Sequence, residues 1–81
     1  MDLYKLKSLI AVAELNSITA AAKAMNLSQS AVSQQLKELE NELDLNLLDR
    51  SRRPVSPTAT GAELVGVARS IITLWNNFQD R

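Results

Sequence analysis

Apolar residues recur along most of this chain at intervals of three and four, the spacing of one face of an α-helix. Leu3, Leu6, Leu9, Ile10 and Ala13 predict a first helix over about Asp2–Glu14, with Asp2 where negative charge suits the helix dipole. Asn16 tolerates a left-handed turn and Ser17 is a good cap for the next helix. Ile18, Ala21, Ala22 and Met25 predict a short second helix over Ile18–Met25, whose small side chains let another helix cross closely. Asn26-Leu27 breaks it, and Ser28 caps a third helix from Gln29 to about Leu43. In that helix Val32, Leu36, Leu39 and Leu43 face the core. Ser30, Ser33, Gln34, Lys37 and Asn41 lie opposite, with Gln29 one turn below Ser33.

From Leu45 to Pro57 the helical period is lost. Leu45, Leu47 and Val55 are expected to alternate into a core, while Pro54 and Pro57 exclude helix and confine any strand to an edge. The segment 45–57 therefore reads as a two-stranded hairpin with an arginine-rich tip, although it lacks an Asn-Gly or Asp-Gly turn. A last helix starts after Pro57, capped by either Thr58 or Thr60, and Thr60 with Glu63 has the capping-box spacing. If helical to the end of the chain it is about 33 Å long. Leu64, Ala68, Ile71, Trp75 and Phe78 alternate spacings of four and three along it, a heptad-like seam that Val65 and Ile72 widen. The expected fold is mainly α with a small β-hairpin. Residues 1–57 form a compact unit and residues 58–81 a long C-terminal helix.

Composition narrows the chemistry. Eighty-one residues make one small domain, and 46% hydrophobic with 22% charged residues is ordinary for a globular chain. There is no cysteine and no histidine, which removes disulfides, Cys-type zinc sites and the commonest acid–base group. No catalytic residue, metal site or cofactor is expected, and an enzyme is not the reading. The longest strictly apolar run, Leu9 to Ala13, is far too short to cross a membrane. The N-terminus lacks the pattern of a secretory signal, so the cytoplasm is the expected location.

Nine basic and nine acidic residues cancel, but they are segregated: 50–53 carry Arg50, Arg52 and Arg53, whereas 38–44 carry Glu38, Glu40, Glu42 and Asp44. A Debye length of about 10 Å leaves such a basic patch effective despite the neutral total. Two helices joined by a three-residue link, the second capped by serine and polar outside, have the helix-turn-helix pattern. A major groove admits such a helix, and Gln29, Ser30, Ser33 and Gln34 near its start have the hydrogen-bonding groups to read base edges. Ser28 and the free amides beside it suit a phosphate oxygen, and Lys37 extends that face. The bland alternative is a solvated polar face. Arg50, Arg52 and Arg53 suit phosphates or a minor groove, or equally a solvated loop. The acidic block is read as solvated charge that keeps the C-terminal half of the third helix away from DNA. Trp75 and Phe78 either pack on the first helix or, with the rest of the seam, mark an association surface. A protein-interaction module using the Leu64–Phe78 seam is the alternative class of function.

Taken together, these residues resemble the N-terminal domain of LysR-type transcriptional regulators. The resemblance runs over essentially the whole chain. It includes Leu3, Leu6 and Leu9 with Val12-Ala13-Glu14, Ser17-Ile18-Thr19 with Ala21-Ala22, Leu47-Leu48 with Arg50, and Thr58 with Gly61. Its most specific part is Ser28-Gln29-Ser30-Ala31-Val32-Ser33 followed by Leu39-Glu40. The resemblance implies a winged helix-turn-helix whose recognition helix enters the major groove of double-stranded DNA and whose wing meets flanking DNA. It also implies a linker helix that forms a homodimer through Leu64, Ala68, Ile71, Trp75 and Phe78. Family members usually continue into an effector-binding domain, so any small-molecule effector is expected to act outside these residues. Asn16 and Asp44 stand where glycine is common, Leu48 where phenylalanine is usual and Pro57 where leucine is. Gln34 replaces a frequent arginine, which removes a fixed charge.

Overall fold

The computed structural model describes residues 2–81. Its order is α1 (Leu3–Leu15), α2 (Ile18–Met25), α3 (Gln29–Leu43), β1 (Leu48–Asp49), β2 (Ser56–Pro57) and α4 (Ala59–Gln79). Each of the first three helices starts and stops by the same local chemistry. Asp2, Ser17 and Ser28 cap them, accepting from the backbone N–H of Tyr4 at 2.8 Å, Ala20 at 3.0 Å and Ala31 at 3.0 Å. Asp2 is thus the cap of α1 rather than its first helical residue. Asn16, Asn26 and Asp44 end the helices with φ of 52°, 58° and 54°, a left-handed conformation that Asn and Asp tolerate better than most residues. After α2 and α3 the next amide reaches back a full turn and more, Leu27 N to Ala22 O at 2.8 Å and Leu45 N to Glu40 O at 3.1 Å, which satisfies the last carbonyls.

Helix α1 is the hub, touching α2, α3, α4 and β2. Leu6 and Leu9 from α1 are buried with Ala21 and Ala22 of α2 and Val32, Leu36 and Leu39 of α3, as the helical spacing predicted. Val12, outside the predicted face, is buried as well, while Leu3, Ile10, Ala13 and Leu43 are half-buried. Ser8 is the buried polar side chain of this core, and the periodicity gave no hint of it. Its hydroxyl donates to Gln35 Oε1 and lies 3.6 Å from Met25 Sδ, so α1, α2 and α3 meet at one satisfied polar point. At the surface Lys5 of α1 pairs with Glu42 and, at 3.6 Å, with Glu38 of α3. The hydrogen bond to Glu42 raises the lysine pKa above its ordinary value.

β1 and β2 pair antiparallel, Leu48 opposite Pro57 and Asp49 opposite Ser56. With only two strands both are edges, so the missing N–H of Pro57 costs no central ladder bond. The expected alternation fails before the ladder begins. Leu45 is 43% exposed, whereas the consecutive Leu47 and Leu48 are 1% and 2% exposed. The reason lies in Glu40, whose Oε2 accepts from both Leu47 N at 2.8 Å and Leu48 N at 3.3 Å. Two successive amides can share one oxygen only if the backbone is not pleated there, and the strict in-out rule lapses with the pleat.

Thr58, not Thr60, caps α4: its hydroxyl accepts from Gly61 N at 3.0 Å and donates to Asn46 O at 2.6 Å. Thr60 already lies inside the helix, so the Thr60–Glu63 capping box does not form. The first turns of α4 belong to the core, with Gly61, Val65 and Ala68 buried and Leu64, Ile71 and Ile72 half-buried. Beyond Ile72 the helix runs past the body, in a molecule 42 × 25 × 19 Å across. Leu74, Trp75 and Phe78 are exposed there, and the Trp75 and Phe78 rings stack 5.9 Å apart.

Candidate nucleic-acid interface

The short link Asn26-Leu27-Ser28 sets α3 beside α2 so that the N-terminal turns of α3 protrude. Gln29, Ser30, Gln34 and Lys37 are exposed and Ser33 is half-buried, opposite the anchors Val32, Leu36 and Leu39. The protruding face carries no acidic group until Glu38. Among the described residues Gln34 is the one candidate reader whose side chain is already engaged, its amide donating to Glu38 Oε2 at 3.3 Å.

The hairpin folds back toward this face. A groove of about 470 Å³ opens between α3, the start of α2 and the hairpin, lined by Gln29, Ser33, Ser17, Thr19, Arg53 and Pro54 among others. It brings together residues as remote in the sequence as Ser17 and Pro54. Ser17 and Thr19, at the first turn of α2, were not among the expected contact residues. Ser17 is a serine cap like Ser28, but the turn it opens, Ile18-Thr19-Ala20-Ala21, is mostly apolar, so the sequence carried only half of the signal that pointed to Ser28.

The three arginines do not share one environment. Arg50 Nη1 lies 3.0 Å from Glu40 Oε1, so it braces the hairpin against α3. Arg52 reaches Asp49 at 3.4 Å but remains 74% exposed. Arg53 forms no ion pair among the described residues and lines the groove. The turn itself is held by Asp49, which accepts from the Ser51 hydroxyl at 2.5 Å and from Ser51 N at 3.0 Å. The hydroxyl bond, then the amide bond, holds the Asp49 carboxyl below its ordinary pKa. This bracing is present above the ordinary carboxylate pKa and fades as pH falls through the depressed value.

The acidic block also departs from expectation. Glu40 is not a solvated charge: its side chain is 11% exposed and fully occupied by the hairpin. Glu38 and Glu42 do lie at the surface, yet both are answered by Lys5. The negative potential expected over the C-terminal half of α3 is accordingly smaller than four free carboxylates would produce.

The predicted seam on α4 is split by the body of the domain. Ala68 is completely buried against α1 and is unavailable to a second chain. The apolar stripe that remains exposed or half-exposed runs through Leu64, Val67, Ile71, Leu74, Trp75 and Phe78, flanking the buried side of α4, with Leu64 and Ile71 still packed against the core.

A family profile described as "Bacterial regulatory helix-turn-helix protein, lysR family" matches residues 3–62. The chain belongs to the LysR family. Among its relatives, the nitrogen assimilation regulatory protein nac of Klebsiella aerogenes is 40% identical over 72 residues, covering 89% of this chain and 24% of that protein. The HTH-type transcriptional regulator TcbR of Pseudomonas sp. (strain P51) is 40% identical over all 81 residues and 28% of its own length. The chain therefore spans about a quarter of the curated relatives it matches. Among solved structures, the CbnR DNA-binding domain in complex with DNA superposes with a TM-score of 0.94 at 40% identity, covering 100% of this chain and 93% of that one. The BenM DNA-binding domain on benA site 1 DNA superposes with 0.95 at 32% identity, covering 99% and 90%. This LysR-family domain is a winged helix-turn-helix, with α2 and α3 as the helix pair, β1–β2 as the wing and α4 as the long helix after it. Among the described residues no helix is long and apolar enough to cross a membrane.

Proposed function

We propose that this domain binds duplex DNA sequence-specifically, placing the N-terminal turns of α3 in the major groove and the wing on flanking DNA. The observation that carries the reading is the single groove into which Gln29, Ser33 and Arg53 converge. An uncharged hydrogen-bonding surface beside an unpaired guanidinium separates two tasks: glutamine and serine discriminate base edges, and arginine supplies sequence-independent attraction. The solved relatives CbnR and BenM were captured on DNA in the same fold, which supports the assignment. In this reading Ser28 and Ser30 contact phosphate or base edges beside Gln29, and Lys37 and Arg52 face the backbone farther out. Gln34 joins only by releasing Glu38, and Arg50 acts chiefly within the protein. The whole protein is a cytoplasmic transcriptional regulator, and whatever effector it senses acts through residues beyond these.

The domain works as a pair through the stripe on α4. Two-fold symmetry demands a self-complementary surface. The stripe has one: counted outward from Ile71, Leu64 mirrors Phe78 and Val67 mirrors Trp75. Antiparallel α4 helices crossing at Ile71 set Phe78 of one copy against a shallow apolar pocket of about 190 Å³ on the other, walled by Leu45, Leu64 and Val67. Glu63 lines the same pocket, and Arg81 lies 5.0 Å over the Phe78 ring, so the incoming ring carries a cation toward a carboxylate.

Binding to matched and scrambled duplexes tests the readout. Gln29→Ala is expected to lose about 1–3 kcal/mol on the matched site only, if the contact is bidentate. Arg53→Ala should weaken both duplexes alike and lower the salt slope by about one. Equal losses on both duplexes for Gln29→Ala would remove glutamine from base recognition.

A further inference from the structure

Glu40 stands at the join between α3 and the wing. Its carboxylate is nearly enclosed and holds three groups of the segment entering the hairpin: Leu47 N at 2.8 Å, Leu48 N at 3.3 Å and Arg50 Nη1 at 3.0 Å. Among the described residues, every side-chain hydrogen bond or ion pair between α3 and this segment runs through that one carboxylate. It grips both sides of the first strand residue, since Leu48 opens β1 and Arg50 opens the turn that leads to Arg53. Bonds to an ionised acceptor are shorter and stronger than neutral ones, and low exposure protects them from competing water. Helix α3 carries Glu40 on the same rigid rod as Gln29 and Ser33. The position of the wing arginine relative to the reading face is therefore referred to a single side chain.

We propose that Glu40 is a positioning residue that sets the wing against α3, so that Arg53 reaches DNA only while Glu40 grips the strand. The inference rests on the DNA-binding reading above. Leu47 and Leu48 also pack into the core, and Thr58 N bonds the Leu47 carbonyl at 3.0 Å, so the hairpin remains attached when the grip is lost. What changes is the spacing and spread of its tip. Gln29, at the far end of α3 from Glu40, has no part in this linkage.

The test is a double-substitution cycle on duplex binding across a salt series. Glu40→Gln loses the ion pair to Arg50 and keeps a carbonyl for either the two amides or the guanidinium but not both, setting its NH2 donor against the other. It is expected to reproduce the Arg53→Ala phenotype, an affinity loss on matched and scrambled sites alike with a salt slope lower by about one. In the Glu40→Gln background Arg53→Ala should then cost less than a further twofold, whereas Gln29→Ala should keep its full loss of discrimination. A general weakening of the fold would erode the Gln29 effect as well, so its persistence separates positioning from mere stability. Should Glu40→Gln fail to fold by circular dichroism, Glu40→Asp, which retains the charge but withdraws it by one methylene, enters the same cycle with the same expectation. Independent, additive losses for positions 40 and 53 overturn the proposal. No effect of Arg53→Ala in the parent overturns the wing assignment itself, a different result from additivity.

Discussion

Gly61→Ala should destabilise the domain by about 3 kcal/mol or more, at or beyond the upper end of ordinary overpacking. A methyl group at this position would sit 1.9 Å from the Leu47 carbonyl oxygen and 2.9 Å from its carbon. Backbone, unlike a flexible side chain, cannot rotate out of the way. That carbonyl also accepts from Thr58 N at 3.0 Å, so relief by displacement would break the tie between the wing and the start of α4. Gly66 is the internal control. It lies on the same helix, where an added methyl would meet nothing within 4 Å, and Gly66→Ala should stabilise by about 0.5–1 kcal/mol through helix propensity alone. Thermal or urea melts of the two variants should move in opposite directions, by roughly 4–8 °C per kcal/mol for a domain of this size. A Gly61→Ala variant that melts with the parent would show that α4 is not seated on Leu47 as described.

Trp75→Asp combined with Phe78→Asp should abolish self-association and, with it, tight binding to a two-half-site duplex. Both side chains are exposed, 45% and 57%, so the fold of the single domain should survive. Linking two weak sites raises apparent affinity by about 10²- to 10⁴-fold, and that factor is what uncoupling removes. Binding to a single half-site should hardly change. Sedimentation of the parent and the double variant decides it: a parent that stays monomeric at high concentration, or a variant of unchanged mass, rejects the α4 pairing. The register has its own check. Glu63→Arg should weaken the pair and Arg81→Glu in the same chain should restore it; no restoration would leave the dimer but refute the crossing at Ile71.

The parts legible from sequence are those governed by neighbours along the chain. Caps at Ser17 and Ser28, left-handed stops at Asn16, Asn26 and Asp44, and the buried faces of α1 and α3 follow from side-chain chemistry and a period of 3.6, which hold regardless of what packs where. The same is true of the polar turn of α3 with Gln29, Ser30 and Ser33, because the face opposite a core stripe can be counted off without knowing what it meets. The choice between Thr58 and Thr60 could not be made that way. Both residues satisfy the local rule, and only the contact of Thr58 with Asn46 O discriminates between them.

Three features were decided by the tertiary structure. The burial of both Leu47 and Leu48, and the exposure of Leu45, follow from Glu40 reaching across to two successive amides, a contact between residues seven and eight positions apart that overrides strand alternation. The division of the α4 seam follows from which side of α4 meets the core: Ala68 lies on that side and Val67 does not, although each fits a heptad. The separate fates of Arg50, Arg52 and Arg53 follow from which carboxylate each can reach. Sequence alone thus determined the helices, their ends apart from the start of α4, and the polar face of α3, since these depend on local backbone preferences and periodicity. Which arginine remains available, which seam stays uncovered and which acid grips the wing depended on distances between remote segments, and such distances exist only once the chain has folded.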